Sequence, residues 1–156
     1  MPYLVDGNNL IGAIPIIDIR DSSAREKLSH LLSQYQKKKG NSIVVVYDGP
    51  PPAGSPSELH LGRLRIVYAG PASDADSVIK NMIRDARSPD QWTVVSSDKQ
   101  VYSYCRWAGA KAMRVMPFYE DIKRMLESSG ESLGKQTMRA DDVDDWMAYF
   151  GIEDNE

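Results

Sequence analysis

One five-residue run limits the possible folds more than any other part of this chain. Ile43-Val44-Val45-Val46-Tyr47 is apolar throughout, four of its members are β-branched, and no polar residue alternates with them. A strand with one wet face alternates. An unbroken run suits a strand covered on both faces, as in a parallel sheet with crossover helices above and below. Asp48-Gly49 ends the run with turn formers. The same pattern recurs at Tyr3-Leu4-Val5 before Asp6-Gly7-Asn8-Asn9, at Leu64 to Tyr68, at Trp92-Thr93-Val94-Val95 before Ser96-Ser97-Asp98, and at Ala112 to Met116. Helical spacing fills the intervals. Leu28, Leu31, Leu32 and Tyr35 follow a capping Ser22 or Ser23 and close on Lys37-Lys38-Lys39-Gly40. Val78, Ile79, Met82 and Ile83 follow Asp74-Ala75-Asp76, and Val101, Tyr104, Cys105 and Ala108 lead to Gly109. Pro117 opens a short helix through Ile122, Met125 and Leu126. Residues 49–62, with four prolines and three glycines, predict a loop with no continuous helix or strand. Alternating strands and helices predict an α/β fold with right-handed parallel crossovers.

The 156 residues suffice for one domain. Residues 1–127 are expected to form it. Residues 128–139 read as a linker. Val143, Trp146, Met147 and Phe150 mark a short amphipathic helix that either docks on the domain or offers its apolar face to a protein partner. A single cysteine, Cys105, excludes a disulfide framework, and on an apolar helix face it reads as a small buried hydrophobe. His30 and His60 show no ligand spacing. No apolar run approaches the roughly 20 residues that span a bilayer, and no signal sequence is visible, so a cytoplasmic protein without a membrane partner is expected. The net charge of −3 is unevenly spread. Residues 131–156 carry eight acids against two bases, and the other 130 residues carry 14 acids against 17 bases. The body is therefore mildly basic, which leaves a nucleic-acid partner open.

The acids of the body fall in a telling place. Asp6 and Asp48 directly follow apolar strands, Asp98 follows one after two serines, and Asp74 and Asp76 open a helix. Ligands of open parallel sheets bind beyond the carboxyl ends of the strands. If the first strand is central and the fourth lies beside it, Asp6 and Asp98 become neighbours. Clustered carboxylates raise one another's pKa values, and a divalent cation relieves the repulsion. All-oxygen ligands favour Mg²⁺ or Mn²⁺, ions that promote phosphodiester hydrolysis. Each aspartate taken alone is equally a turn residue or a helix cap.

Four segments, Asp6-Gly7-Asn8-Asn9, Tyr47-Asp48-Gly49, Asp74-Ala75-Asp76-Ser77 and Val95-Ser96-Ser97-Asp98, resemble in order and spacing the NYN domain, the YacP-like branch of the PIN-like nucleases. The resemblance covers residues 1–126. It implies a three-layer sandwich whose central parallel five-stranded sheet has the order 3-2-1-4-5, with helices on both faces. It also implies a metal-dependent endoribonuclease that hydrolyses RNA. Carried onto this chain, it makes Asp6, Asp76 and Asp98 catalytic acids and ligands of Mg²⁺ or Mn²⁺, with Asn9 as their polar partner. Asp48 and Asp74 are further metal-ligand candidates. Lys80, Arg84 and Lys99 have the best position to meet RNA phosphates. Arg63, Arg65, Lys37 to Lys39, Arg106 and Ser97 are further candidates, and each is otherwise a solvated charge or a cap. Tyr47 and Tyr68 either stack on bases or fill the core. A catalytically inactive PIN-like module that binds RNA or protein is the alternative. A dinucleotide binder is excluded because no G-x-G-x-x-G follows the first strand. The Asp-x-Asp of a dehalogenase-like phosphatase is missing as well, since Asp6-Gly7-Asn8 stands there, and Met116-Pro117 replaces the lysine a receiver domain needs.

Overall fold

A computed structural model describes residues 2–15, 17–18 and 20–127. The tail segment expected to form a linker and an acidic helix, 128–156, lies outside the described residues. In chain order the elements are β1 (Tyr3–Asp6), α1 (Gly7–Ile11), α2 (Ala24–Lys39), β2 (Ile43–Tyr47), β3 (Glu58–Leu61), β4 (Leu64–Tyr68), α3 (Ala75–Asp85), β5 (Thr93–Val95), α4 (Lys99–Trp107), β6 (Lys111–Met113) and α5 (Val115–Glu127). They form one sheet of order β3-β4-β2-β1-β5-β6. β1 lies between β2 and β5 and is parallel to both, with Val5 opposite Val45 and Val95.

The sheet corrects the sequence reading in one respect. It is mixed and six-stranded, not a parallel sheet of five. The five expected strands hold the expected relative order, and β3 adds an antiparallel edge strand that pairs Leu59 with Ile66. Residues 58–61 lie inside the segment expected to be loop. The four prolines sit before this stretch, and Gly62, at φ 60°, makes the tight turn into β4. An exposed edge strand needs only one partner, so local composition conceals it. Two boundaries also move. The last strand ends at Met113, and α5 starts at Val115, two residues before Pro117, which sits in its first turn where no helical N–H is required.

The unbroken apolar run has its expected cause. Every residue of β2 is buried, and alternate side chains enter different cores. Val44 and Val46 join Leu4, Ile79, Val94 and Cys105 under α3 and α4. Ile43, Val45 and Tyr47 join Leu28, Leu32, Phe118 and Ile122 under α1, α2 and α5. Tyr35 extends this second core to the surface: its hydroxyl donates to Asp121 of α5, whose carboxylate also receives Lys39 Nζ at 3.2 Å. Gly40, at φ 79°, ends α2 in the left-handed conformation and donates to Gln36 C=O. No helix among the described residues is long and apolar enough to cross a membrane.

Candidate active site

The parallel strands all end at one edge, and the helices that follow them begin there. Asp6, the last residue of β1, is the N-cap of α1 and accepts the Asn9 N–H at 3.3 Å. α1 is a short helix where the turn-forming sequence predicts only a turn. Asp98 caps α4 by accepting from the Gln100 and Val101 N–H groups. Asp74 caps α3 through the Ser77 N–H. Asp48 reaches from the end of β2 to accept the Ala75 N–H at 2.8 Å, which fastens α3 to the sheet. The capping role and the site role therefore coincide, because a cap must stand where helix dipoles point outward from the sheet edge. Asp76, in the first turn of α3, makes none of these bonds.

Hydrogen bonds between the loops bind the edge into a unit. Ser96, 1% exposed, donates from Oγ to Asp6 Oδ2 at 3.2 Å and accepts the Asp98 N–H at 3.1 Å. Asn9 Oδ1 accepts the Ser97 N–H at 2.6 Å, and Asn8 Oδ1 accepts the Asp48 N–H at 3.0 Å. The two asparagines thus tie β1 to its neighbours on either side. The tie made by Asn8 was not anticipated from sequence; its signal is the second polar residue of Asp6-Gly7-Asn8-Asn9, placed between two strand ends.

The electrostatics match this crowding. Asp6 is only 5% exposed, and desolvation, with the nearby charges of Asp76 and Asp48, pushes its carboxyl up to about 6. Desolvation also raises Asp76, aided by Asp98, Asp74 and Asp48 and opposed by Lys80. Asp74 is lowered by its bonds to Ser77. Five carboxylates, Asp6, Asp48, Asp74, Asp76 and Asp98, are therefore linked through one another's charges, although among the described residues no three acidic, histidine or cysteine side chains converge tightly enough to enclose an ion by themselves. This donor set fits a hard divalent cation that keeps much of its water shell: the donors are oxygens, they repel one another, and Asp6 is buried as an acid without a basic partner.

The basic candidates separate by position. Lys80 lies one turn beyond Asp76 and its Nζ is 5.8 Å from the centre of the Tyr104 ring; Lys99 directly follows Asp98. Arg84 is at the far end of α3 and pairs with Asp85, and Arg65 pairs with Glu58 across the edge hairpin at 2.6 Å. Arg63 stands at the opposite, amino-terminal edge of the sheet, where it donates to Gly40 C=O, and Lys37 to Lys39 end α2 on that same side. Arg106 stacks on Tyr102. Ser97 holds the Val115 N–H with its Oγ and so links α5 to the site. Tyr47 and Tyr68 are core residues, with rings 5.6 Å apart. His60 pairs with Glu58 on the edge hairpin, and Cys105 is fully buried with its thiol pushed up to about 11.

A mixed sheet of this order, with aspartates crowded at the carboxyl ends of its parallel strands, defines an NYN-type, nuclease-like α/β domain. The chain belongs to the YacP-like NYN domain family, whose model matches residues 3–148. It is 31% identical over 83 residues to the uncharacterized protein YacP of Bacillus subtilis (strain 168). That match takes in 51% of this chain and 49% of the relative, so it spans about half the length of the curated protein. The fold is also that of the crystal structure of Rae1 (YacP) from Bacillus subtilis, with a TM-score of 0.69 at 23% identity over 83% of this chain and 78% of the other. A tryptophan-to-leucine mutant of Rae1 superposes with a TM-score of 0.62 at 25% identity, covering 95% of this chain and 98% of the other.

Proposed function

We propose that this chain is an endoribonuclease that hydrolyses RNA phosphodiester bonds with Mg²⁺ or Mn²⁺ held at the carboxyl edge of the sheet. The observation that carries the reading is Asp6, a buried carboxylate without a basic partner and within range of the charges of Asp76 and Asp48. An asparagine or serine would cap α1 without burying a charge beside other carboxylates, so capping alone does not account for an acid here.

Asp6, Asp76 and Asp98 would hold the cation, with Asp48 and Asp74 beside them. When bound, the ion supplies Lewis-acid activation of water and neutralises charge at the leaving oxygen. The chain supplies alignment. Ser96 and the Asn9 N–H each hold one oxygen of Asp6. Asn9, its Oδ1 committed to Ser97, keeps its amide N–H groups for a phosphate oxygen or a water. Lys80 and Lys99 supply positive charge for the RNA backbone. Asp98→Asn keeps a cap acceptor while removing the charge. In that variant, Mn²⁺-dependent cleavage of a fluorescent single-stranded RNA should fall at least ~100-fold, a loss of about 3 kcal/mol in transition-state stabilisation. The melting temperature should stay near that of the parent. Undiminished cleavage would refute the assignment, and failure of the parent itself to cleave with any divalent ion would favour the inactive binding module.

A further inference from the structure

The outer face of α4 leads away from the acidic edge and has no part in the proposed hydrolysis. From Lys99 to Trp107 this helix contains two cations, three aromatic residues and no acid. Val101 and Cys105 face the core and are fully buried. Tyr102 and Tyr104 are half-buried, and Trp107 is 81% exposed. Trp107 and Met116 are the two large apolar side chains left exposed among the described residues. An exposed indole gives up the burial of the largest apolar surface any side chain offers. Apolar residues scattered singly over a surface are ordinary, but Trp107 is not placed singly.

Its ring centre lies 5.9 Å from that of Tyr104, and the Tyr104 ring centre lies 5.8 Å from Lys80 Nζ. Lys80 in turn is close enough to Asp76 to oppose the rise of its carboxyl. A continuous series of contacts therefore runs from the acidic edge through Lys80 and Tyr104 to Trp107. Beside it, Tyr102 takes two guanidinium groups, Arg114 at 4.9 Å and Arg106 at 5.8 Å from its ring centre. Arg114 sits between β6 and α5, and Arg106 adjoins Trp107 in the last turn of α4. Cation–π contacts hold these charges against ring faces rather than leaving them to sweep through solvent. Cations interleaved with aromatic rings are what a single-stranded nucleic acid requires, because its phosphates follow positive charge and its unpaired bases stack. A duplex keeps its base faces to itself. Trp107 lies about 14 Å along α4 from the Asp98 cap, which is beyond the Debye length of about 10 Å at 0.1 M salt, so repulsion from the acids is screened there.

We propose that the outer face of α4 is a track for single-stranded RNA, with the exposed Trp107 ring as the stacking platform for a base away from the scissile phosphate and with Lys80, Arg106 and Arg114 facing the backbone. The track rests on the endoribonuclease reading for its biological substrate. It makes unpaired RNA the preferred substrate, since the platform takes up a base only where the strand is open. Continuity with the acidic edge favours RNA over a protein as the occupant of this face, because a strand held at the edge has α4 directly in its path.

The test is fluorescence anisotropy of a labelled single-stranded RNA, and of the same strand in a duplex, titrated with the whole chain in EDTA at several salt concentrations. Trp107→Ala should weaken binding of the single strand about tenfold and leave the duplex unaffected. Its salt dependence should equal that of the parent, because no charge is lost. Trp107→Phe should retain most of the affinity, and Arg106→Ala should reduce the salt slope by about one phosphate contact. Unchanged affinity in Trp107→Ala, a loss as large in Trp107→Phe, an equal loss on the duplex, or no binding by the parent up to about 100 μM would each overturn the proposal. Sedimentation of the same variants identifies the competing occupant: a change of oligomeric state in Trp107→Ala with RNA affinity intact would assign the face to a protein contact instead. Because binding is read without metal or cleavage, the two readings fail separately. A chain that holds single strands through Trp107 and never cleaves keeps the track and loses the nuclease. One that cleaves RNA with an affinity indifferent to Trp107 keeps the nuclease and loses the track.

Discussion

Gly7 offers a test in which helix propensity and packing predict opposite signs. It is the first residue of α1 and does not have a positive φ, so its backbone is open to any residue. Propensity alone says that Gly7→Ala should stabilise by up to about 1 kcal/mol. Packing says otherwise. A Cβ on Gly7 would lie 2.4 and 2.5 Å from Cε1 and Cδ1 of Tyr47 and 3.0 Å from Cγ2 of Val45. Carbon atoms rest about 3.5–4.0 Å apart, so the ring would have to retreat by roughly 1 Å. The ring is poorly free to do so. Its hydroxyl donates to Arg25 C=O at 2.9 Å and is bonded to Ser29 Oγ at 2.8 Å, and Tyr68 packs against it. Overpacking costs about 1–3 kcal/mol, and each weakened hydrogen bond about 1 more. The net expectation for Gly7→Ala is a loss of about 2–4 kcal/mol, or roughly 6–15 °C in melting temperature for a domain of this size. Thermal and urea unfolding measure it. In a Tyr47→Leu background the ring clash is removed and the 3.0 Å approach to Val45 remains, so the same substitution should cost much less than in the parent. A neutral or stabilising Gly7→Ala in the parent, or an equal loss in both backgrounds, would refute the packing argument.

Other outcomes are equally specific. Asp6 has a folded-state pKa raised from 3.8 to about 6, so its favourable contribution is full below about pH 4 and lost as pH rises through about 6. At pH 7.5 the ionised carboxylate costs the metal-free chain up to about 3 kcal/mol; Asp6→Asn should therefore raise its unfolding free energy there and lose that advantage near pH 4, as urea titrations at the two pH values would show. Asp21 is lowered to about 2, first by Lys27 and then by Ser23, so its stabilisation is present above about pH 4 and lost as pH falls through about 2. The pair is about one-third exposed, and screening limits the effect to about 1 kcal/mol, measurable as a smaller acid sensitivity in Asp21→Asn. Lys80→Ala should weaken RNA binding and reduce the salt dependence by about one phosphate contact, whereas Arg63→Ala, on the opposite edge, should change neither; anisotropy titrations across salt concentrations separate the two.

Much of the architecture is legible in the chain because burial on both faces leaves a local signature. The β2 run, the apolar spacing of α2 and α3, and Gly40 at the end of α2 each follow from residues near one another in sequence. The aspartates at strand ends are legible for the same reason, since a cap lies next to the helix it caps. β3 was hidden because its pairing with β4 is exposed and charged, with Glu58, His60 and Arg65 on one face. α1 was hidden because Asp6-Gly7-Asn8-Asn9 spells a turn, and burial of Leu10 and Ile11 completes it as a helix. Among the basic residues, sequence could rank Lys80 and Lys99 by adjacency to acids, but it could not place Arg63 on the wrong edge.

The sequence by itself determined the class of fold, the five parallel strands and the identity of the strand-end acids, because periodicity and capping are short-range. Only the tertiary structure decided which acids share a field, that Ser96 bridges Asp6 and Asp98, and that Asn8 and Asn9 join β1 to its neighbours. Each of these depends on residues that are distant along the chain, such as Asn8 and Asp48, 40 positions apart, and Asp6 and Ser96, 90 apart. Distance, burial and desolvation exist between such residues only after the sheet has assembled and brought its carboxyl edge together.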